Sequence, residues 1–192
     1  MALYAENYDG GYIYAAGGFN TQKPVSLEST LAVTGAATFS GNVTVSGSLT
    51  RKTNVISGSG ATVSLTAAQS GSTVLFDRAA GIVFTLPANA PGLQFDFFVT
   101  VTITSNAAKV ITAAGTELLV GTIINTDTDS SDAVASWKSL VAASNIAVSM
   151  NGSTTGGIKG DWLRFTCLNS TTWNVVGMTL ATGVVATPFA TS

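Results

Sequence analysis

The chain has 192 residues, of which 46% are hydrophobic and only 9% are charged, and its formal net charge is -2. This length accommodates one well-filled domain together with an extension. The near-neutral charge gives no electrostatic reason to expect nucleic-acid binding, and no apolar run approaches the roughly eighteen residues of a membrane-spanning helix. Ala, Val, Leu and Ile are interleaved with Thr, Ser and Gly, which predicts a soluble all-β protein.

Residues 1–26 combine aromatic side chains with glycines. All 4 tyrosines of the chain lie near its N-terminus, and glycine pairs interrupt any regular element. Tyrosine gives a large contact area at a small loss of rotamer entropy, so such a segment suits binding to a partner surface. We predict an attachment arm that uses Tyr4, Tyr8, Tyr12, Tyr14 and Phe19. The alternative is that these rings cover the protein's own core or the end of a trimeric stem. The N-terminal residues MALYAENYDGG lack the basic region and the long apolar region of a secretory signal, so synthesis in a cytoplasm is expected.

Residues 27–53 contain a six-residue repeat. Glycine recurs at every sixth position, at Gly35, Gly41 and Gly47, and the apolar residues of each unit are two apart, so they share one face of a short strand. One copy buries too little apolar surface to offset the entropy lost in ordering its backbone. We therefore expect a stem in which sister chains, three in a homotrimer, pack around an axis. The predicted contacts are Leu31, Val33, Phe39, Val43, Val45 and Leu49. The alternative is a flexible linker.

Residues 54–192 contain short apolar runs separated by turn-forming residues, which is typical of an all-β domain. Ten such runs predict a β-sandwich of two packed sheets, jelly-roll-like, with a single helical turn at residues 66–69. The strands are predicted near Thr62–Thr66, Thr73–Asp77, Ile82–Leu86, Gln94–Ile103, Lys109–Thr112, Leu118–Asn125, Ser136–Ala142, Ile146–Met150, Asp161–Leu168 and Thr172–Leu180. The predicted core contains Phe84, Phe95, Phe97, Trp162, Phe165 and Trp173, with Phe98 on the opposite face.

Residues that carry catalysis are scarce. The chain has no histidine, which removes Ser-His and Cys-His nucleophile pairs and histidine metal sites. Cys167, the single cysteine, lies in an apolar run without a base, so we predict a small buried hydrophobic residue rather than a nucleophile. A glycosidase would need a pair of carboxylates across a groove. Asp77, Asp96, Glu117 and Asp161 are available, but nothing in their spacing selects a pair. No catalytic residue and no cofactor is predicted.

Asp127, Asp129 and Asp132 form the densest acidic group of the sequence. The pattern does not match a calcium-binding EF-hand loop, because Asp132 lies where that loop requires glycine and Lys138 lies where it requires glutamate. A solvated turn between strands is the first interpretation. A looser site of oxygen ligands, completed by a sister chain, is the second.

Three motifs resemble those of a known class of proteins. They are STLAVTGAATFSGNVTVSGS in the repeat, IVFTLPANAPGL at residues 82–93, and GDWLRFTCLNSTTWNVVG at residues 160–177. Together they are similar to bacteriophage virion proteins of the capsid-decoration and fibre type, in which a short stem or arm carries a trimeric β domain. The resemblance covers most of residues 27–180 and transfers no functional residue. It implies symmetric attachment to the major capsid protein or another virion protein, in a virion assembled in the bacterial cytoplasm.

The sequence therefore predicts a non-enzymatic structural protein that decorates and stabilises a capsid as a homotrimer, without nucleic-acid or membrane partners. The alternative is a short head or tail fibre that recognises a glycan or protein on the host surface. A tailspike-like enzyme is disfavoured, because no pair of carboxylates is singled out.

Overall fold

The computed structural model describes residues 37, 40–48, 52–58, 60–129 and 134–192. The chain divides into a unit of residues Met1–Leu49 and a unit of residues Thr50–Ser192, and each is described by itself. In the first unit, residues 40–48 contain neither helix nor strand, and their side chains are exposed.

The second unit is all-β, with two stacked sheets and two single-turn 3-10 helices in its described part. The seven-stranded sheet has the order β1, β3, β5, β10, β11, β7, β8, and the five-stranded sheet has the order β12, β9, β6, β4, β2. The strands are β1 Val55–Ser57, β2 Thr62–Ser64, β3 Ser72–Phe76, β4 Val83–Thr85, β5 Gln94–Val99, β6 Ala108–Ile111, β7 Leu118–Asp127, β8 Val134–Ser139, β9 Ala147–Met150, β10 Trp162–Asn169, β11 Thr172–Ala181 and β12 Phe189–Ala190. The helices are Ala67–Gln69 and Val141–Ala143.

Each of the ten predicted strands is confirmed in position, as is the helical turn at residues 66–69. Sequence reasoning missed β1 and β12, which have only 3 and 2 residues. Two predicted strands ran well past their observed C-terminal ends. β5 ends at Val99 rather than Ile103, and β8 ends at Ser139 because the next residues form the second 3-10 helix.

The first six strands alternate between the two sheets, so the chain winds around the core in successive turns. β1, β3 and β5 therefore lie side by side and parallel in one sheet, as β2, β4 and β6 do in the other. β7 and β11 form another parallel pair, whereas β10 is antiparallel to both of its neighbours, β5 and β11. A jelly roll consists of antiparallel strands. The parallel pairs seen here therefore differ from the predicted jelly-roll-like arrangement.

The core lies between the sheets and is rich in aromatic rings. The ring of Phe97 lies 5.3 Å from that of Phe165 and 5.6 Å from that of Phe84, centroid to centroid, and both contacts are edge-to-face. Trp173 is fully buried beside Phe95. Five of the six predicted core residues are therefore confirmed, and Phe98 faces outward as expected.

The prediction that Trp162 belongs to this core is wrong. Trp162 is only partly buried, and its neighbours in register, Phe98 and Met178, are exposed. Side chains alternate between the two faces of a strand. Since Trp162 and Phe165 are three residues apart on β10, burial of Phe165 in the core directs Trp162 to the opposite face.

Candidate functional site

The residues predicted to make contacts lie mostly outside the described part of the chain. This applies to all of the predicted arm contacts and to four of the predicted stem contacts, namely Tyr4, Tyr8, Tyr12, Tyr14, Phe19, Leu31, Val33, Phe39 and Leu49. The remaining two, Val43 and Val45, are exposed and belong to no strand. Their predicted role in chain-to-chain contact stays a prediction.

A row of apolar side chains crosses the outer face of the seven-stranded sheet, which is the face turned away from the core. The pairing register places one residue from each of five adjacent strands in line. In order across the sheet, this apolar row consists of Leu75, Phe98, Trp162, Met178 and Ile124. Phe98 is 41% exposed, Met178 is 49% exposed and Ile124 is 39% exposed, whereas Leu75 and Trp162 are partly buried by their neighbours.

The neighbouring row on the same face is mostly polar, with Val176 between Arg164 and Thr122, and it carries an ion pair. Arg164 Nε lies 2.6 Å from Asp96 Oδ1, and Arg164 Nη2 lies 3.0 Å from Asp96 Oδ2, so the guanidinium binds the carboxylate through two hydrogen bonds. Lys138, on the edge strand β8, belongs to the same row and lies opposite Thr122 of β7. Among the outward-facing residues of the seven described strands, these three are the charged ones, and two of them neutralise each other.

The apolar row was not found by sequence reasoning, although part of its signal was present. Phe98 is predicted on the face opposite the core, and the alternation of side chains on β10 places Trp162 on that outer face as well. The other members come from strands that are distant in sequence, such as Ile124 on β7 and Met178 on β11. Only the pairing register brings them into one line.

A polar groove of about 480 Å³ lies on the same sheet, toward β1 and β3. Its lining residues are Thr53, Ser70, Gly71, Thr73, Gly92, Gln94 and Asp96. The Ser70 hydroxyl accepts a 3.0 Å hydrogen bond from the Gln94 backbone amide, and the Gly71 amide donates to the Gln94 carbonyl. Hydroxyl, amide and carboxylate groups thus meet in a groove beside the exposed ring of Phe98, two residues after Asp96.

Asp161 is buried and ties the loop that precedes β10 to the end of β11. Oδ2 accepts hydrogen bonds of 2.7 Å from the Gly157 amide and 3.1 Å from the Ile158 amide, and Oδ1 accepts one of 2.8 Å from the Leu180 amide. Burial raises the pKa of Asp161 from 3.8 to about 6, against the opposing effect of these hydrogen bonds. The residue anchors the loop between β9 and β10.

The carboxylates considered for a glycosidase pair each bind different groups. Asp77 accepts hydrogen bonds from the Ser57 hydroxyl and the Gly58 amide, and Asp96 binds Arg164. Glu117 accepts hydrogen bonds from the backbone amides of three residues, Asn89, Ala113 and Ala114, and Asp161 holds the loop described above. All four carboxylates hold local backbone or side-chain structure in place.

Cys167 is buried on the inner face of β10, as predicted. Its thiol donates to the Asn169 carbonyl oxygen, with a Sγ to O distance of 3.3 Å. Burial raises the pKa of the Cys167 thiol, which disfavours the thiolate needed for nucleophilic attack.

The acidic segment after β7 is only partly described, because Asp132 lies outside the described residues. The Asp129 amide donates to Asp127 Oδ1 at 3.0 Å, and Asp129 Oδ2 accepts a 2.9 Å hydrogen bond from the Gly183 amide. Across the described ranges, no three Asp, Glu, His or Cys side chains converge on a common point in the manner of a metal site. Asp127 is buried at the end of β7 and Asp129 follows it in a bend, while residues 130–133 lie outside the described part of the chain, so the solvated turn of the first interpretation stays a prediction.

Comparisons with protein-family models, with curated protein sequences and with solved structures found no match to this chain. The described part of the chain contains no helix with the length and apolar character needed to cross a membrane.

Proposed function

We propose that this protein is a bacteriophage structural protein that decorates and reinforces a capsid as a symmetric oligomer, a homotrimer. The observation that carries the proposal is the apolar row, because a contiguous apolar surface that crosses five strands is typical of a site for protein contact. The three sequence motifs, which resemble those of virion decoration and fibre proteins, support the same function.

The proposed mechanism is mechanical. The tyrosine-rich arm of residues 1–26 binds the major capsid protein or another virion protein, and the repeat of residues 27–53 joins sister chains in a short stem. The β domain links neighbouring copies. Contacts made at several sites at once strengthen each other through effective concentration, so modest individual contacts suffice to hold the capsid.

Binding to purified capsids tests this function directly. Deletion of residues 1–20 is expected to abolish binding, while near-ultraviolet circular dichroism shows a folded β domain. Light scattering on the isolated full chain is expected to give the mass of three chains. Unchanged occupancy of capsids by the truncated chain would refute the role of the arm, and a single-chain mass at micromolar concentration would refute the oligomer.

A second candidate function is recognition of a host-surface glycan. The polar groove favours it, because Gln94 and Asp96 line it with the amide and carboxylate groups that bind sugar hydroxyls, and the exposed Phe98 follows Asp96 by two residues on the same face. In this case the free protein should block adsorption of the phage, and Asp96→Ala should remove the block. Failure of wild-type protein to compete would count against this candidate.

A further inference from the structure

We infer that the outer face of the seven-stranded sheet is the surface through which the β domain binds a second copy of this chain. The inference rests on the oligomeric part of the proposed function and not on attachment to a capsid. It also differs from the predicted stem contacts, because it places an interface between copies on the sandwich itself.

The apolar row is continuous across five adjacent strands. Adjacent strands lie about 4.8 Å apart, so five strands give an uninterrupted apolar line of about 19 Å. Its central residue, Trp162, has Phe98 on one side and Met178 on the other. Exposure of such a row to water is unfavourable, and burial against another protein surface removes its apolar area from water.

The outer face has the residue composition of a protein interface. Aromatic residues, Met and Arg are enriched in protein interfaces, whereas Lys and Glu are depleted. The outer face has Phe98, Trp162 and Met178 beside Arg164, and its single lysine, Lys138, lies on the edge strand among the outward-facing residues that are described. The residue types that are enriched in interfaces therefore lie at the centre of the face, and the lysine lies at its edge.

The low net charge of the outer face favours a second copy over a charged partner. Asp96 and Arg164 neutralise each other through two hydrogen bonds, so Lys138 supplies the net charge of the described outer face. A face with so little net charge is repelled only weakly by the surface of another copy, because the whole chain carries a formal net charge of only -2. A nucleic acid or a strongly acidic or basic protein would find few groups to pair with here.

The outer face is large enough for a specific interface. Seven strands span about 29 Å across the sheet, and the outward-facing stretch from Trp162 to Leu168 is about 20 Å long, which gives on the order of 600 Å² for each copy. Contact between this face and an equal area on the next copy of a closed ring would bury on the order of 1,200 Å², within the range of specific interfaces.

The test uses the full chain and compares substitutions on and off the outer face. Met178→Arg and Ile124→Arg each place a charge in the apolar row, whereas the control, Val184→Arg, changes an exposed apolar residue in the segment between β11 and β12. Val184 is 87% exposed. Light scattering after size-exclusion chromatography is measured from 1 to 100 µM protein, and near-ultraviolet circular dichroism checks that each variant is folded.

Wild type and Val184→Arg are expected to elute as the same oligomer. The two row variants are expected to dissociate at protein concentrations at least 100-fold higher than wild type does. A folded row variant with the wild-type mass at every concentration would overturn the inference, as would a wild-type chain that is monomeric at 100 µM. If Val43→Asp in the stem dissociates the oligomer and the row variants do not, the interface is in the stem and the inference is wrong, while the proposed oligomer stands.

A second measurement does not depend on changes in mass. Hydrogen peroxide oxidises exposed methionines, and mass spectrometry can follow Met178 with the fully buried Met150 as an internal reference. In the wild-type oligomer, oxidation of Met178 is expected to be at least 10-fold slower than in the Ile124→Arg variant. Equal rates would overturn the inference.

Capsid binding by the wild-type chain is measured separately. A chain that associates through this face but leaves capsids undecorated would contradict the proposed function and support the inference. A chain that decorates capsids while Met178 is oxidised as fast as in the Ile124→Arg variant would support the proposed function and contradict the inference.

Discussion

The carboxylate of Asp161 accepts a 2.8 Å hydrogen bond from the backbone amide of Leu180, which joins the residue before β10 to the end of β11. Through its other oxygen, Asp161 also holds the amides of Gly157 and Ile158. One buried side chain therefore links a loop to the neighbouring strand. Because burial raises the pKa of Asp161 to about 6, its carboxyl group changes charge at a pH that is convenient for unfolding measurements.

We expect Asp161 to make the free energy of unfolding decrease as the pH rises from about 4 to about 6. In this window the folded chain retains a proton that the unfolded chain, with a pKa near 3.8, releases, so higher pH favours unfolding. A shift of this size corresponds to about 3 kcal/mol. Urea denaturation of wild type at pH 4 and pH 7 is compared with that of Asp161→Asn, which cannot titrate. Identical pH dependence in the two proteins would contradict the prediction.

The ion pair between Asp96 and Arg164 is expected to contribute little to the stability of a single chain. Both side chains are partly exposed, and pairs of this kind stabilise proteins by about 0.5–1 kcal/mol. A double-mutant cycle with Arg164→Ala and Asp96→Ala, measured in low salt and in 1 M NaCl, should give a coupling energy of this size that decreases with salt. Arg164→Lys serves as a control that keeps the charge but loses the paired hydrogen bonds. A coupling energy above about 2 kcal/mol would show that the pair behaves as a buried one.

Gly121 is expected to tolerate no side chain. Its φ is +131°, and an added Cβ would lie 1.9 Å from the carbonyl oxygen of Val175, its partner on β11. Gly121→Ala should therefore lower the free energy of unfolding by about 3 kcal/mol or more, because β7 must move away from β11. The matched control is Gly115→Ala, where nothing lies within 4 Å of the added carbon. Urea denaturation should show the control within about 0.5 kcal/mol of wild type, and equal losses in both variants would contradict the prediction.

Phe97 and Phe98 are adjacent in sequence but are expected to differ sharply in their contribution to folding. Phe97 is 1% exposed and contacts three other aromatic rings, so Phe97→Ala should cost about 3–5 kcal/mol. Phe98→Ala should cost under about 1 kcal/mol. Both are measured in the Met178→Arg background, so that changes in self-association do not enter. Similar losses for the two variants would contradict the assignment of opposite faces.

Cys167 is expected to react slowly with thiol reagents in the folded protein. Its sulfur is buried, and its pKa is raised by burial, so both access and the thiolate fraction are low. Labelling with Ellman's reagent should be complete only after denaturation in urea. The control is a Cys167→Ala, Val184→Cys chain, in which the thiol is exposed and should react within minutes. Rapid labelling of native wild type would refute the prediction.

The strands of the β domain could be predicted from sequence because apolar residues alternate with polar ones between clear turn signals. The error at Trp162 shows the limit of that reasoning. Trp162 is predicted in the core together with other aromatic residues of the strands, whereas its position relative to Phe165 places it on the other face. Alternation decides the face of a side chain more reliably than hydrophobicity does.

The remaining features depend on contacts between segments that are distant in the chain. No local pattern distinguishes a parallel from an antiparallel neighbour, so the winding of β1 to β6 was not predicted. The apolar row was missed for the same reason, since Leu75 and Met178 enter one line only through the ladders between them. β1 and β12 were missed because they are too short for a period to be visible.

The winding of the first six strands also sets an order in which the domain can fold. Val55 pairs with Thr73, and Val83 pairs with Lys109, so these turns form from contacts about 20 residues apart. β10 pairs with β5, which lies more than 60 residues earlier in the chain, and β11 then pairs with β10. The contacts that close the larger loops therefore form last. Trp162 enters with β10. A chain still emerging from the ribosome therefore has no complete apolar row, and association between copies through that row begins only when each domain is finished.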